Sequence, residues 1–277
     1  MPIIMAVQTR RQLGLTLIEM TLVIVTMALL MSFTMPAVRA FLNTFQSEGG
    51  TRAMISSALA SARAMATKNQ RYTGIRFQKL CLSRNPASPL EGLLDAPQYM
   101  TFIVHEEPQK MNNLTIGFRV IEGLKPIRLP DTISVIDLSG ITADAAIDED
   151  SELSNATSFS ILFSPSGKLT IHNVRVRNKD GVYQPNNDDP DPLKTSLDDI
   201  FNSAYNINKY GLSMFIQDDY QNLGLFEEPS RTSFVIYEKQ KLDQVYKKGR
   251  AWSDYLATLS QSPLYVSPYA GQIITQP

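Results

Sequence analysis

The chain has 277 residues, a formal net charge of −1 and 43% hydrophobic residues. Near-neutrality argues against a general polyanion-binding surface, so no nucleic-acid partner is expected, while the length allows one sizeable core or a core plus a subdomain. The lone cysteine, Cys81, excludes an intrachain disulfide and reads as a small buried or half-buried residue.

At the N-terminus, residues 1–13 carry Arg10 and Arg11 and no acid. The apolar run from Leu15 to Met35 reaches about 31 Å at about 1.5 Å per residue, enough for a hydrocarbon core of about 30 Å. The paired arginines favour a cytoplasmic N-terminus, which puts the C-terminal bulk outside the cytoplasm. One carboxylate, Glu19, interrupts the run. An unpaired acid at mid-bilayer costs roughly 2.5–3.5 kcal/mol on insertion scales, so Glu19 needs a partner. Three readings compete. A removable secretory signal has a small-residue cut site at Val38-Arg39-Ala40, but the apolar run is long for a signal core and contains the acid. A plain anchor leaves Glu19 unexplained. The third is a signal cut before the apolar run, so that the helix is kept.

The residues Arg10, Arg11, Gly14, Leu15, Thr16, Leu17, Ile18 and Glu19 closely resemble the N-terminus of type IV pilins and type II secretion pseudopilins. That resemblance covers about the first 45 residues. It implies that a membrane-embedded prepilin peptidase cuts between Gly14 and Leu15 and N-methylates Leu15, and that Glu19 becomes the fifth residue of the mature chain. Pro36 matches a proline the family places in this helix; Leu15 departs mildly, since the family most often has Phe or Met there. The chemistry is consistent with this order of events. Before cleavage the Leu15 nitrogen is an uncharged amide. After cleavage it is an amine with a reference pKa of about 7.7–8.0, largely cationic near neutrality. Pairing Glu19 with the amine of a neighbouring subunit would set the axial offset between two helices, the use for which buried ion pairs are best attested. Pro36 lacks an N–H and crowds the carbonyl of Ser32, so it is expected to kink or loosen the helix, either as an ordinary transmembrane proline or as a segment that softens on packing into a filament.

Helical periodicity is expected to continue from Phe41 to Asn69, with Ile55, Leu59, Ala62 and Ala66 on one face and Arg52, Ser56, Arg63 and Lys68 on the polar side. Gly49-Gly50 marks an expected bend, and the alanines offer a thin surface against which a sheet can pack. Alternation then predicts strands at Tyr72–Leu80, Tyr99–His105, Thr115–Glu122, Thr132–Leu138, Phe159–Phe163 and Lys168–Arg177, the last two flanking a turn at Ser164-Pro-Ser-Gly167. Residues 142–157, acidic and polar, read as a loop. The stretch from Leu59 through Arg63 to Asn69, followed by Ile75-Arg-Phe77, looks like the start of the H-type minor pseudopilin domain, a start the FimT-like minor pilins share. Phe163-Ser-Pro-Ser-Gly167 is similar to a late hairpin of that family. The chain departs by running about 100 residues beyond that hairpin.

In residues 180–192, Asp188, Asp189 and Asp191 supply hard oxygen atoms of the kind calcium takes, but without EF-hand spacing, and a solvated loop is the simpler reading. Leu193 to Ala204 suggests a short amphipathic helix, Tyr210–Gln217 and Thr232–Glu238 strands, and Lys239 to Leu259 a helix. Lys239, Lys241, Lys247, Lys248 and Arg250 form the densest basic patch, read as a solvated helix face, and the tail from Ser262 is expected to strap the domain.

Enzyme signatures are absent. The two histidines, His105 and His172, fall in separate strand candidates with no acid or cysteine at ligand spacing, and Glu106 next to His105 points to the other face of a strand. The expected architecture is α+β: a basic leader (1–14) that is removed, a transmembrane helix (15–45), a packed helix with an antiparallel β-rich, pilin-like exported domain (46–180), and a C-terminal extension or subdomain (181–277). No catalysis, cofactor or metal is expected. The resemblance implies an inner-membrane, single-pass subunit with its C-terminal domain periplasmic, whose partners are other pilin-like subunits, the prepilin peptidase and the inner-membrane assembly platform. It implies a minor pseudopilin of a type II secretion pseudopilus or, alternatively, a minor type IV pilin of adhesion or DNA uptake.

Overall fold

The computed structural model describes residues 17–45, 48–79, 91–106, 117–121, 123–141, 146–176 and 228–275, apart from the side chains of 32–45, 151, 175, 176 and 275. The chain divides into two compact units, Met1–Thr44 and Phe45–Pro277. Nearly all of helix α1 (Leu17–Phe45) belongs to the first.

The second unit is α+β with largely antiparallel sheets. It starts with helix α2 (Glu48–Asn69), which buries Thr51, Ile55, Ala58, Leu59, Ala62 and Ala66 along one side. The expected apolar face is therefore the observed one, although Gly49 and Gly50 lie inside the first turn of α2 and not between helices. Gln70, with φ of 52°, ends the helix in the left-handed region, and its side-chain amide donates to the Thr67 carbonyl at 2.7 Å.

The larger sheet runs β7 (Leu169–Thr170), β6 (Phe159–Phe163), β1 (Thr73–Lys79), β2 (Gln98–His105), β3 (Gly117–Val120), β8 (Asn173–Val176) and β9 (Glu228–Pro229), with β4 (Ile127–Arg128) also paired to β2. Every pairing is antiparallel except β3 with β8. Register puts Phe77 beside Met100 and Phe159, and Ile75 beside Phe102 and Ile161. These side chains face α2, and the Phe77 and Phe159 rings stack at 4.8 Å. The smaller sheet runs β12 (Ile273–Thr275), β11 (Leu264–Val266), β10 (Ser233–Glu238) and β5 (Ile133–Ile136). It adds Ile133, Val135, Phe234, Ile236, Leu264 and Val266 to the same core. Its reverse side, with Ile136, Val235 and Tyr237, packs on Leu153 and Ala156 of α3 (Asp150–Thr157), Leu242 of α4 (Lys239–Tyr246), and Ala251 and Leu256.

Buried polar groups join these layers. Gln98 of β2 is fully buried; its amide donates to the carbonyls of Val135 (2.9 Å) and Thr157 (2.7 Å), and its oxygen accepts from the Val135 N–H at 2.7 Å. One side chain thus ties the two sheets and the end of α3. Asp137, beyond β5, pairs with Arg231 at the entrance to β10. The 164–167 turn is held to α2: Arg63 Nε donates to the Gly167 carbonyl at 2.9 Å, and a Cβ on Gly167, whose φ is +75°, would lie 2.7 Å from Thr67 Cγ2.

Several expectations are corrected. Residues 142–157 are not all loop, since Asp150–Thr157 is helix α3. Glu152 accepts from the Glu149 N–H at 2.9 Å in a capping box, and Leu153 and Ala156 anchor the turn in the core. The Lys168–Arg177 strand is two strands, β7 pairing with β6 and β8 with β3, separated at Ile171-His172. The Lys239–Leu259 helix breaks at Gly249 (φ +62°), resumes as a π-helical turn at Trp252–Leu256, and ends in α5 (Ala257–Leu259). The described part of 181–277 is no appendage: β10 is central in the smaller sheet and 228–275 belong to the same compact unit as α2. The tail from Ser262 contributes β11 and β12. The helix at 193–204, the strand at 210–217 and Cys81 lie outside the described residues.

Candidate functional site

The strongest functional signal in the sequence is the N-terminal segment. Gly14 and Leu15 lie outside the described residues; Glu19 lies in the first turn of α1 and is exposed, and Pro36 falls within α1. From Leu17 to Met31 the helix is exposed on every side and apolar on nearly all of it, with Leu17 84% exposed, Leu22 66% and Leu30 63%. A helix apolar all round belongs in a hydrophobic surrounding, either lipid or other helices. Its hydroxyls fit that surrounding. Thr21 Oγ1 donates to the carbonyls of Leu17 (3.1 Å) and Ile18 (2.9 Å), and Thr26 Oγ1 to that of Val23 (2.9 Å). Both threonines therefore satisfy their donors within the helix and need no water. Among the described residues no helix is long and apolar enough to cross a membrane. The described side chains of α1 end at Met31, about 21 Å from Leu17 at about 1.5 Å per residue.

In the second unit, Asp188, Asp189 and Asp191 lie outside the described residues. Among the described residues no three His, Cys, Asp or Glu side chains are grouped to hold a metal ion. The basic patch is not a uniform cationic surface. Lys239 is buried, and Lys241, Lys247 and Arg250 pair with Glu238, Asp243 and Asp254 at 2.8, 2.7 and 2.9 Å.

Two lysines are buried around the 93–96 turn. Lys79 Nζ, at the end of β1, donates to the carbonyls of Leu93 (2.8 Å) and Leu94 (3.1 Å). Lys239 Nζ, at the start of α4, donates to that of Ala96 at 2.8 Å. Burial is the main cause that lowers the Lys79 ammonium to a pKa of about 7, with the charge of Lys239 adding to it. Burial likewise lowers Lys239 to about 8. Beside Lys239 is a cleft of about 560 Å³ lined by Glu48, Asp95, Asp131, Glu238 and Asp243. Carbonyls fix both ammonium groups, an arrangement that holds a turn in place.

A further grouping was not legible in the sequence. His105 at the end of β2 and His172 just before β8 lie in one aromatic cluster, ring centroids 6.0 Å apart, with Tyr72 4.7 Å from His172 and Phe118 5.3 Å from His105. The parallel pairing of β3 with β8 brings them together, and no local sequence pattern announces it. The neighbouring Glu106 is buried and held by Arg71 and Arg119.

Fold and site together define an α+β protein with largely antiparallel sheets and an apolar N-terminal helix. No family model, curated protein or solved structure matches the chain.

Proposed function

We propose that the chain is a pilin-like structural subunit, a minor pseudopilin of a type II secretion pseudopilus. It is made as a precursor, cut between Gly14 and Leu15 by a prepilin peptidase, N-methylated at Leu15, and assembled through its N-terminal helix. The observation that carries this reading is α1: apolar on nearly every side, exposed from Leu17 to Met31, with its hydroxyls satisfied internally and one acid, Glu19, in its first turn. Such a helix fits a lipid surrounding before assembly and a bundle of like helices after it. The processing residues Gly14 and Leu15 and the basic leader stand immediately before it in sequence. Support also comes from the second unit, where a small-residue helix face packs on an antiparallel sheet and Arg63 joins the late hairpin at Gly167.

In this account the subunit is single-pass in the bacterial inner membrane, its C-terminal domain periplasmic. Its partners are other pilin-like subunits, the peptidase and the assembly platform; it performs no catalysis and carries no cofactor. The Leu15 amine created by the cut pairs with Glu19 of a neighbouring subunit and fixes the stagger between their helices. Glu19→Leu is the test. Removing the charge favours membrane retention, so insertion and cleavage proceed, while co-purification with other pilin-like subunits falls. Unchanged co-purification would show that Glu19 has no register role.

A further inference from the structure

We propose that His105 and His172 form a two-histidine site for a divalent transition metal of the zinc and copper class, on the face of the larger sheet away from α2. The inference is independent of the function proposed above.

The chain has only two histidines, and they converge from positions 67 residues apart. His105 ends β2 in register with Phe118 of β3, and His172 immediately precedes β8, the strand parallel to β3. The spacing suits a shared metal. With metal–nitrogen bonds of about 2.0–2.1 Å, a metal lies roughly 3.2 Å from each ring centroid. Two rings on one metal then have centroids roughly 5–6 Å apart, from a tetrahedral angle to a wider, distorted one. The observed separation is 6.0 Å, with ring planes at 61°.

His172 also has its tautomer set. Its Nδ1 lies 2.6 Å from the Asn173 carbonyl oxygen, which can only accept, so Nδ1 carries the hydrogen. In the neutral ring the lone pair is then on Nε2. A backbone carbonyl on the far nitrogen is the usual support of a metal-ligating imidazole, because it fixes the tautomer and the orientation of the ring. The Tyr72 ring, 4.7 Å from His172, and the Phe118 ring, 5.3 Å from His105, hold the two imidazoles in place. Both histidines are half-buried, which leaves a path for an ion.

Glu106 does not complete the set, because its two oxygens engage Arg71 and Arg119. Two protein ligands make an open site, with the remaining positions filled by water or by a ligand from a partner. Imidazole ligands select zinc, copper or nickel over calcium or magnesium.

The experiment uses the untagged full chain in detergent, stripped of metal, with Cys81→Ser to remove the competing thiol. Copper(II) is added and followed by electron paramagnetic resonance and by equilibrium titration. The expected spectrum shows two imidazole nitrogens on one copper per chain, independent of protein concentration. His105→Gln or His172→Gln removes one nitrogen and weakens binding at least about tenfold. Zinc(II) raises the melting temperature of the histidine-intact chain and not that of the double variant. A histidine-intact spectrum without two imidazole nitrogens overturns the proposal and does not depend on whether the variants fold. So does a folded double variant that binds copper as tightly as its parent.

Discussion

Along α1, apolar side chains continue around the helix and are exposed from Leu17 to Met31; along α2, burial is confined to the stripe of Thr51, Ile55, Ala58, Leu59, Ala62 and Ala66. The residue types differ accordingly. α1 uses large side chains such as Leu22, Ile24 and Leu30, whereas α2 buries three alanines, Ala58, Ala62 and Ala66, beside two larger anchors, Ile55 and Leu59. Bulk on all sides suits lipid or a helical bundle, where the surroundings are as apolar as the side chains. A thin stripe suits a sheet, since small side chains let the helix backbone approach the phenylalanines of β1 and β6. Two helices adjacent in sequence thus differ in the surroundings their side chains suit.

That contrast breaks if charge is tolerated where the account forbids it. Ala62 is 0% exposed, and Ala62→Glu both overfills and charges the contact between α2 and the sheet. A fragment starting at residue 46 is expected to lose a few kcal/mol of a total of about 5–15 kcal/mol and to aggregate or melt far earlier. A fragment with Ala62→Glu that melts like its parent would place Ala62 on the solvent side.

The complementary change is Val25→Glu in α1. It is expected to leave the melting of the second unit unchanged while weakening membrane retention of the full chain, by up to roughly 2.5–3.5 kcal/mol on insertion scales. Carbonate extraction of membranes reads the second effect. Loss of the domain transition instead would mean that α1 helps hold the fold.

Within the second unit, Gln98 separates polar fastening from apolar packing. Gln98→Leu keeps most of the volume but leaves the N–H and C=O of Val135 and the carbonyl of Thr157 without this partner. A cost of about 1–3 kcal/mol for each group left unsatisfied is expected, read by urea unfolding of the fragment.

The smallest effect concerns pH. Lys79 has a folded-state pKa of about 7, against 10.5 in the absence of burial. Between those values the unfolded chain holds a proton that the folded chain has released, so stability rises with pH across that window; below about 7 the penalty of the buried charge is fully present. The slope from this group is at most about 1.4 kcal/mol per pH unit. Lys79→Met is expected to flatten the rise measured between pH 7 and 9, and an unaltered slope would assign it to other groups.

Much of this fold was legible because its signals are local. Ile55, Leu59, Ala62 and Ala66 recur at helical spacing, and Ile75 and Phe77 alternate with Arg76 and Gln78, so α2 and β1 followed from periodicity. The misses have identifiable causes. In α3, acidic composition masked the two anchors Leu153 and Ala156 and the Glu149–Glu152 capping box. β4 and β9 are two-residue strands, too short for any period. β11 and β12 lie in a proline-containing tail whose pairing depends on the distant β10. For the candidate sites the division is similar. Gly14, Leu15 and Glu19 form one contiguous pattern, whereas the approach of His105 to His172 exists only once β3 and β8 are paired.

The central claim is that α1 is retained while the leader before it is removed, and intact-mass analysis of the chain isolated from membranes tests it most directly. The account predicts a mature chain that begins with N-methylated Leu15, and a Gly14→Val variant that stays at full length, because the peptidase must closely accommodate a residue without a side chain before the cut. A mature chain beginning after Ala40 would contradict it, since α1 would then be lost with a secretory signal.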